Sequence, residues 1–304
     1  MTLELADPAT TAAGPAVAGS GPRSRSPGRG TRWAAVARSW LRRPGLLLSV
    51  LWLAAVLVAA VAPEVFTATD PLRAAPRFKL QPPSGEHPFG TDQLGRDLFS
   101  RTVHGTGLSL GSALIAVAVG IVVGSLVGLL AGFVRGPLDS VLMRLMDVLL
   151  AIPALLLSLA LVTALGFGTV KVAVAVGIAS IAACARVMRS EVLRVRESPY
   201  VEAARAGGAR WSRVLGRHVL PNAAGPVLVL AVMEFGTAVL AVSALSFLGY
   251  GAVPPAPEWG SLVSGGRDFL GTAWWLTVMP GLTIVLTVLA TGRVARALHG
   301  EDRR

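Results

Sequence analysis

The stretch EAARAGGARWSRVLGRHVLPN, Glu202 to Asn222, is unlike the apolar sequence on either side of it. It carries Arg205, Arg210, Arg213 and Arg217, a Gly207-Gly208 pair, and Pro221 near its end. From Trp211, the residues Val214, Leu215, His218 and Val219 recur at the i, i+3, i+4, i+7, i+8 spacing of one helical face, while Arg210, Arg213 and Arg217 line another. Pro221 is expected to stop that helix, because a proline disfavours helical geometry in the residue before it. Upstream, Ser198-Pro199 reads as a helix start, with serine at the cap and proline in the first turn. Gly207-Gly208 supplies the break between the two helices. The stretch 198–222 is therefore expected to form a short hairpin, its first leg built on Glu202, Ala203, Ala204 and Ala206. A solvated basic linker needs neither two phased helices nor a glycine joint. An element that docks on a partner needs both.

The chain around it is 304 residues long, 53% hydrophobic and only 15% charged, with a mean hydropathy of +0.63. Soluble domains hold about 45–50% apolar residues, so the composition is that of a membrane protein. The net charge of +11 rests on arginine, since Lys79 and Lys171 are the only lysines. These arginines fall between long apolar runs rather than on a basic surface with aromatic or polar readers, which argues against nucleic acid as a partner. They fit the excess of positive charge in cytoplasmic loops. Cys184, the single cysteine, sits inside an apolar run and reads as a packing residue with no internal disulfide partner.

Residues 1–43 are rich in Pro, Gly, Ser, Thr and Ala and read as a disordered basic cytoplasmic tail. Residues 44–63 carry no charge and match one bilayer-spanning helix of about 20 residues. The VAAVAP at its end would also suit cleavage after Ala62, but the apolar run exceeds the usual 7–15 residues of a signal peptide. An uncleaved span is the preferred reading. Residues 64–103 are polar and proline-rich and form an extracytoplasmic loop. The chain is then free of Asp, Glu, Lys and Arg over 102–134, 148–170, 235–257 and 269–292, with a weaker apolar tract at 172–185 flanked by Lys171 and Arg186. The expected fold is thus an all-α polytopic membrane protein with six transmembrane helices and both termini cytoplasmic, its core over 104–297 and a short tail at 298–304.

Several residues are candidates for function. Glu234 is the one carboxylate well inside an apolar stretch, near the middle of the fifth span, where an ionisable group is by default functional. Asp92, Arg96 and Asp97 lie at helical spacing before the second span, as an i,i+4 pair at a helix start or as a docking surface. Pro153 is an expected kink in the third span, and Trp274 and Trp275 read as interfacial anchors of the last. No G-x-x-x-x-G-K-[ST] loop is present, so ATP has no site in this sequence. His87, His104, His218 and His299 show no ligand or triad spacing, which leaves no metal site and no catalytic residue.

The hairpin resembles the EAA loop of permease subunits in binding-protein-dependent ABC importers, with Glu202, Ala203, Ala204, Gly208, Leu220 and Pro221 on the motif positions and His218 where an isoleucine is usual. The HVLPN form is similar to the dipeptide, oligopeptide and nickel branch, and HPFGTDQLGRDLFSR, DVLLAIPALLLSLAL and ALSFLGYGAVPPAPEWGSLVSGGRDFLGTAWWLTVMPGLTIVLTVLA extend the resemblance to its C-type permease over residues 86–290. Val242 stands where the family often has an acidic residue, and TGRVARALHGEDRR replaces the usual ending. The resemblance implies a type I importer permease fold in the cell membrane, without enzymatic activity or a bound cofactor of its own. ATP and magnesium would sit on two separate ATPase subunits, one of which receives the hairpin in a groove. It further implies a second permease and an extracytoplasmic solute-binding protein as partners, and peptides as the solute, with nickel, glutathione-like compounds or opines as alternatives. A stand-alone secondary transporter or channel is the competing class; it would need no coupling hairpin and would place more ionisable residues along its path.

Overall fold

The computed structural model describes residues 44–299. The tail expected at 1–43 lies outside the described residues, as does 300–304 of the tail expected at 298–304, whose first two residues instead end the last helix. Helix α1 covers Pro44–Val61, α2 Leu98–Val134, α3 Pro137–Ala151, α4 Ala154–Leu165 and α5 Thr169–Arg196. The hairpin helices α6, Pro199–Ala206, and α7, Trp211–Val214, follow, and then α8, Leu220–Phe247, α9, Trp259–Gly266, and α10, Trp275–His299. Among the described residues the only β pairing is an isolated bridge between Thr91 and Asp97.

Among the described residues five helices are long and apolar enough to cross a membrane, and six spans result if α3 and α4 count as one. Those two meet at 94°, so Pro153 marks a break rather than the kink expected of it. Helix α3 also starts well before the charge-free tract, and its acidic residues face α5: Asp139 takes a bidentate contact from Arg189, at 2.6 and 2.7 Å, and Asp147 pairs with Arg186.

The tract expected to be weakest, 172–185, is the middle of α5. Helix α5 is less apolar than α2, and a larger share of it is buried. Protein covers what lipid would otherwise have to solvate. The cover is α2, which approaches through Gly120, Gly124, Gly128 and Gly132, one glycine every helical turn. A Cβ at Gly124 would lie 2.6 Å from the Cβ of Cys184, and one at Gly128 would lie 2.3 Å from the Ala185 carbonyl oxygen. From the other side, a Cβ at Gly177 would come within 2.7 Å of the Ala116 oxygen. Small residues at this spacing let helix backbones touch in a bilayer, where apolar burial alone supplies no driving force. Cys184 is fully buried in this seam, as its apolar setting foretold.

At one end of the bundle the segment between α1 and α2 folds onto the start of α10. Asp97 caps α2 by accepting the Ser100 N–H at 2.7 Å. Trp275, read as a membrane-interface anchor, is instead 5% exposed, and its Nε1 donates to the Thr91 carbonyl at 3.2 Å. Trp274 beside it is exposed. Trp259 opens α9 fully buried, its backbone N–H donating to the Ser109 hydroxyl and its Nε1 to the Thr102 carbonyl, both at 3.0 Å. The residue before it, Glu258, is also fully buried, and burial pushes its carboxyl above the ordinary value of 4.5. One of its oxygens accepts the Ala252 N–H at 3.2 Å. Gly251 makes room for it: a Cβ there would sit 2.4 Å from Glu258 Oε2.

Candidate functional site

The hairpin between α5 and α8 is set by local chemistry. The Ser198 carbonyl accepts from the N–H groups of Val201 and Glu202 at 3.0 and 3.1 Å. The Ser198 hydroxyl does not cap α6 as expected but turns back to donate to the Val195 carbonyl of α5. Helix α6 ends with Gly208 at φ +76°, and the Ala209 N–H donates across that joint to the Ala204 carbonyl at 3.1 Å. This six-to-one bond around a left-handed glycine is the Schellman close of a helix. The second leg then begins at Trp211, with the Arg210 carbonyl accepting from Arg213 and Val214.

Pro221 does not stop the second leg. Residues Leu215–Val219 form a π-turn, in which the Leu220 N–H donates to the Leu215 carbonyl, and the chain runs on into α8. A proline is tolerated there because it sits in the first turn of α8, where its ring meets a widened turn instead of the tight ladder it would clash with.

Valines pin the hairpin to the bundle. Val201 of the first leg, Val214 of the second and Val219 of the π-turn are all buried, in one cluster with Met188, Val192, Val195, Ala223 and Val227. Arg196 donates to the Phe133 carbonyl at the end of α2. The motif residues Glu202, Ala203 and Gly208 are exposed and Ala204 is half-buried, and Arg210, Arg213 and Arg217 are exposed beside them. A Cβ on Gly208 would meet nothing within 4 Å, so the requirement there is conformational and not steric. Leu220 and Pro221 are exposed too, but they lie past the π-turn on α8. Two aromatic residues are exposed: Tyr200, which was not singled out from the sequence, and Trp211, which opened the expected apolar stripe but turns outward while Val214 and Val219 are buried.

The other candidates fall elsewhere. Asp92 and Arg96 form their ion pair, at 2.6 Å, but across a turn and not along a helix. The Asp92 carboxylate also accepts from the backbone N–H groups of Leu94 and Arg96, at 2.8 and 2.9 Å. Asp97, besides capping α2, meets His87 Nδ1 at 2.9 Å. With Asp92 at 4% and Asp97 at 8% exposure, these side chains are committed within the chain. Glu234 lies at the middle of α8 on the wall of a cavity of about 500 Å³ bounded by α2, the end of α3, α4, α5 and α8. Among the described residues no cluster of three His, Cys, Asp or Glu could hold a metal.

Residues 120–300 match the family of binding-protein-dependent transport system inner membrane components. The chain belongs to that family. A putative peptide transport system permease protein of Brucella suis is 40% identical over 86% of this chain and 88% of its own length. A di/tripeptide transport system permease protein of Pseudomonas aeruginosa is 40% identical over 86% and 88%. A glutathione transport system permease protein of Escherichia coli is 43% identical over 68% and 69%. Among solved structures, an amino acid ABC transporter covers 66% of this chain and 94% of its own at a TM-score of 0.53 and 17% identity. An inward-facing methionine ABC transporter covers 65% and 96% at a TM-score of 0.51 and 20% identity. The fold is that of a type I ABC importer permease, and the chain is an inner membrane permease subunit of an ATP-driven importer whose ATPase is a separate subunit.

Proposed function

We propose that this permease forms half of the translocation pathway for di- or oligopeptides, beside a second permease subunit. The names of the relatives support the peptide reading, since several that match over most of the chain are peptide or dipeptide transport permeases. The observation that carries the coupling is the hairpin: a valine-anchored projection whose outer surface holds small residues, the Glu202 carboxylate, two rings and the exposed Arg210, Arg213 and Arg217. Ala203 lets a partner backbone come close, Gly208 holds the left-handed joint that presents it, and Glu202 offers a charge to a basic group on the ATPase. In this reading ATP and magnesium belong to the two ATPase subunits, the hairpin and both termini face the cytoplasm, and the 62–97 segment faces the binding protein. Because Asp92, Arg96 and Asp97 are engaged internally, that contact falls to exposed neighbours such as Leu94.

The test is uptake of a labelled dipeptide by proteoliposomes holding both permeases and both ATPases, with the binding protein outside. Uptake should require ATP inside and vanish when the ATPase subunits are left out. Uptake that persists without them would instead make this a stand-alone transporter. The glutathione relative motivates a second solute in the same assay, where competition between glutathione and the dipeptide ranks the two. Nickel is the third solute to run.

A further inference from the structure

The cavity on which Glu234 lies has a volume of about 500 Å³, within the roughly 300–1,000 Å³ of small-molecule sites. Alanine, valine and leucine make most of its wall, and the polar side chains are Ser158, Ser180, Thr237 and Glu234. Each hydroxyl proton is already given to the residue's own helix: Ser158 donates to the Ala154 carbonyl at 2.8 Å, Ser180 to Gly177 at 2.9 Å and Thr237 to Met233 at 3.5 Å. What remains of these hydroxyls is lone pairs. Among the described residues no hydrogen bond or ion pair engages the Glu234 carboxylate, and no lysine, arginine or histidine lines the cavity. The side chains therefore offer acceptors and a single carboxylate, and no free donor. A carboxylate or a bare carbonyl entering such a space finds nothing to donate to it, and burying it there unpaired is costly. An ammonium group brings three N–H donors and the missing charge.

We propose that Glu234 binds the amino terminus of the translocating solute at mid-membrane, so that this subunit takes the ammonium end of a zwitterionic peptide and leaves its carboxylate end to donors outside the cavity. The inference rests on the peptide reading above, and it names which end of the peptide this chain recognises.

The experiment uses the assembled transporter in lipid nanodiscs without the binding protein, whose own preference would mask that of the membrane site. The probes are dialanine and propionyl-alanine, which lacks only the amino group, and saturation-transfer NMR reads their affinities. Wild type should bind dialanine at least tenfold more tightly than propionyl-alanine, and Glu234→Gln should bring dialanine down to the level of the analogue while leaving the analogue unchanged. Equal dialanine affinity in the two proteins, an equal loss for both probes, or no preference in wild type overturns the proposal. So does failure of Glu234→Gln to co-purify with the second permease, because the carboxylate then serves a cation of that subunit. Uptake of dialanine by the complete wild-type system tests the peptide reading separately. Uptake that proceeds with no preference at Glu234 sinks this inference alone, and its absence beside uptake of another solute sinks the peptide reading.

Discussion

Replacing Gly128 by alanine tests the seam between α2 and α5 with the smallest perturbation available. The new Cβ would lie 2.3 Å from the Ala185 carbonyl oxygen, 2.8 Å from the Met188 Cβ and 2.9 Å from the Arg189 nitrogen. Two of those neighbours are backbone, so no rotamer change relieves them. Restoring ordinary contact requires the helices to part by about 1 Å, which also loosens the contacts at Gly124 and Gly132. Overpacking of this kind costs roughly 1–3 kcal/mol. Alanine returns part of that, since glycine within a helix is about 0.5–1 kcal/mol worse than alanine. Gly111 lies on the same helix with nothing within 4 Å of a built Cβ and supplies the control. Gly111→Ala should be neutral or stabilising, and the difference between the two variants isolates the steric cost at roughly 1–3 kcal/mol. Thermal unfolding of the purified complex in one detergent measures both. If the variants shift the midpoint alike, Gly128 is not a close-approach position and the account of why α5 tolerates low hydropathy is wrong.

Other perturbations separate conformation, hydrogen bonding and charge. Gly208→Val places a β-branched residue at φ +76°, where even an unbranched side chain costs about 1–2 kcal/mol; uptake should be lost with membrane insertion intact, while Gly208→Asn should keep most of it, as transport and membrane fractionation will tell. Trp275→Phe removes the bond to the Thr91 carbonyl and should cost roughly 1–3 kcal/mol, read as a lower unfolding midpoint. Glu258 binds its proton more tightly folded than unfolded, so its contribution to stability falls as pH rises from 4.5 through the raised folded value and is level above it. Glu258→Gln should flatten that segment of the midpoint-against-pH curve, and an unchanged slope would show that the carboxyl is not the group responsible.

The hairpin was legible because its chemistry is local. Pro199 and Gly208 act on their own backbone, and both do in the fold what their residue types suggest. Pro221 was misread because the rule that proline ends a helix assumes an α ladder, and the π-turn before it replaces that ladder. Trp275 was misread because pattern alone cannot say which of two adjacent rings meets lipid and which meets a folded-back loop. The glycine period at 120, 124, 128 and 132 is plain in the sequence, but its meaning depends on Gly177, Cys184 and Ala185, far along the chain. Asp92 and Arg96 were correctly paired at the wrong geometry, since four residues of separation also closes a turn in which backbone amides reach one carboxylate.

The π-turn gives the molecule a mechanical property. Trp211 to Phe247 is one near-continuous rod with the hairpin's second leg at one end and Glu234 along its length. From Val214 to Glu234 that rod measures about 30 Å at 1.5 Å per residue. A tilt of about 5° applied at the hairpin would sweep the carboxylate through about 2–3 Å over such an arm, a large fraction of a hydrogen-bond length. Leu215–Val219 is then the widened turn that joins the hairpin to this arm, and converting it to regular α geometry would rotate the hairpin's second leg about the rod and change the direction of the stroke it delivers.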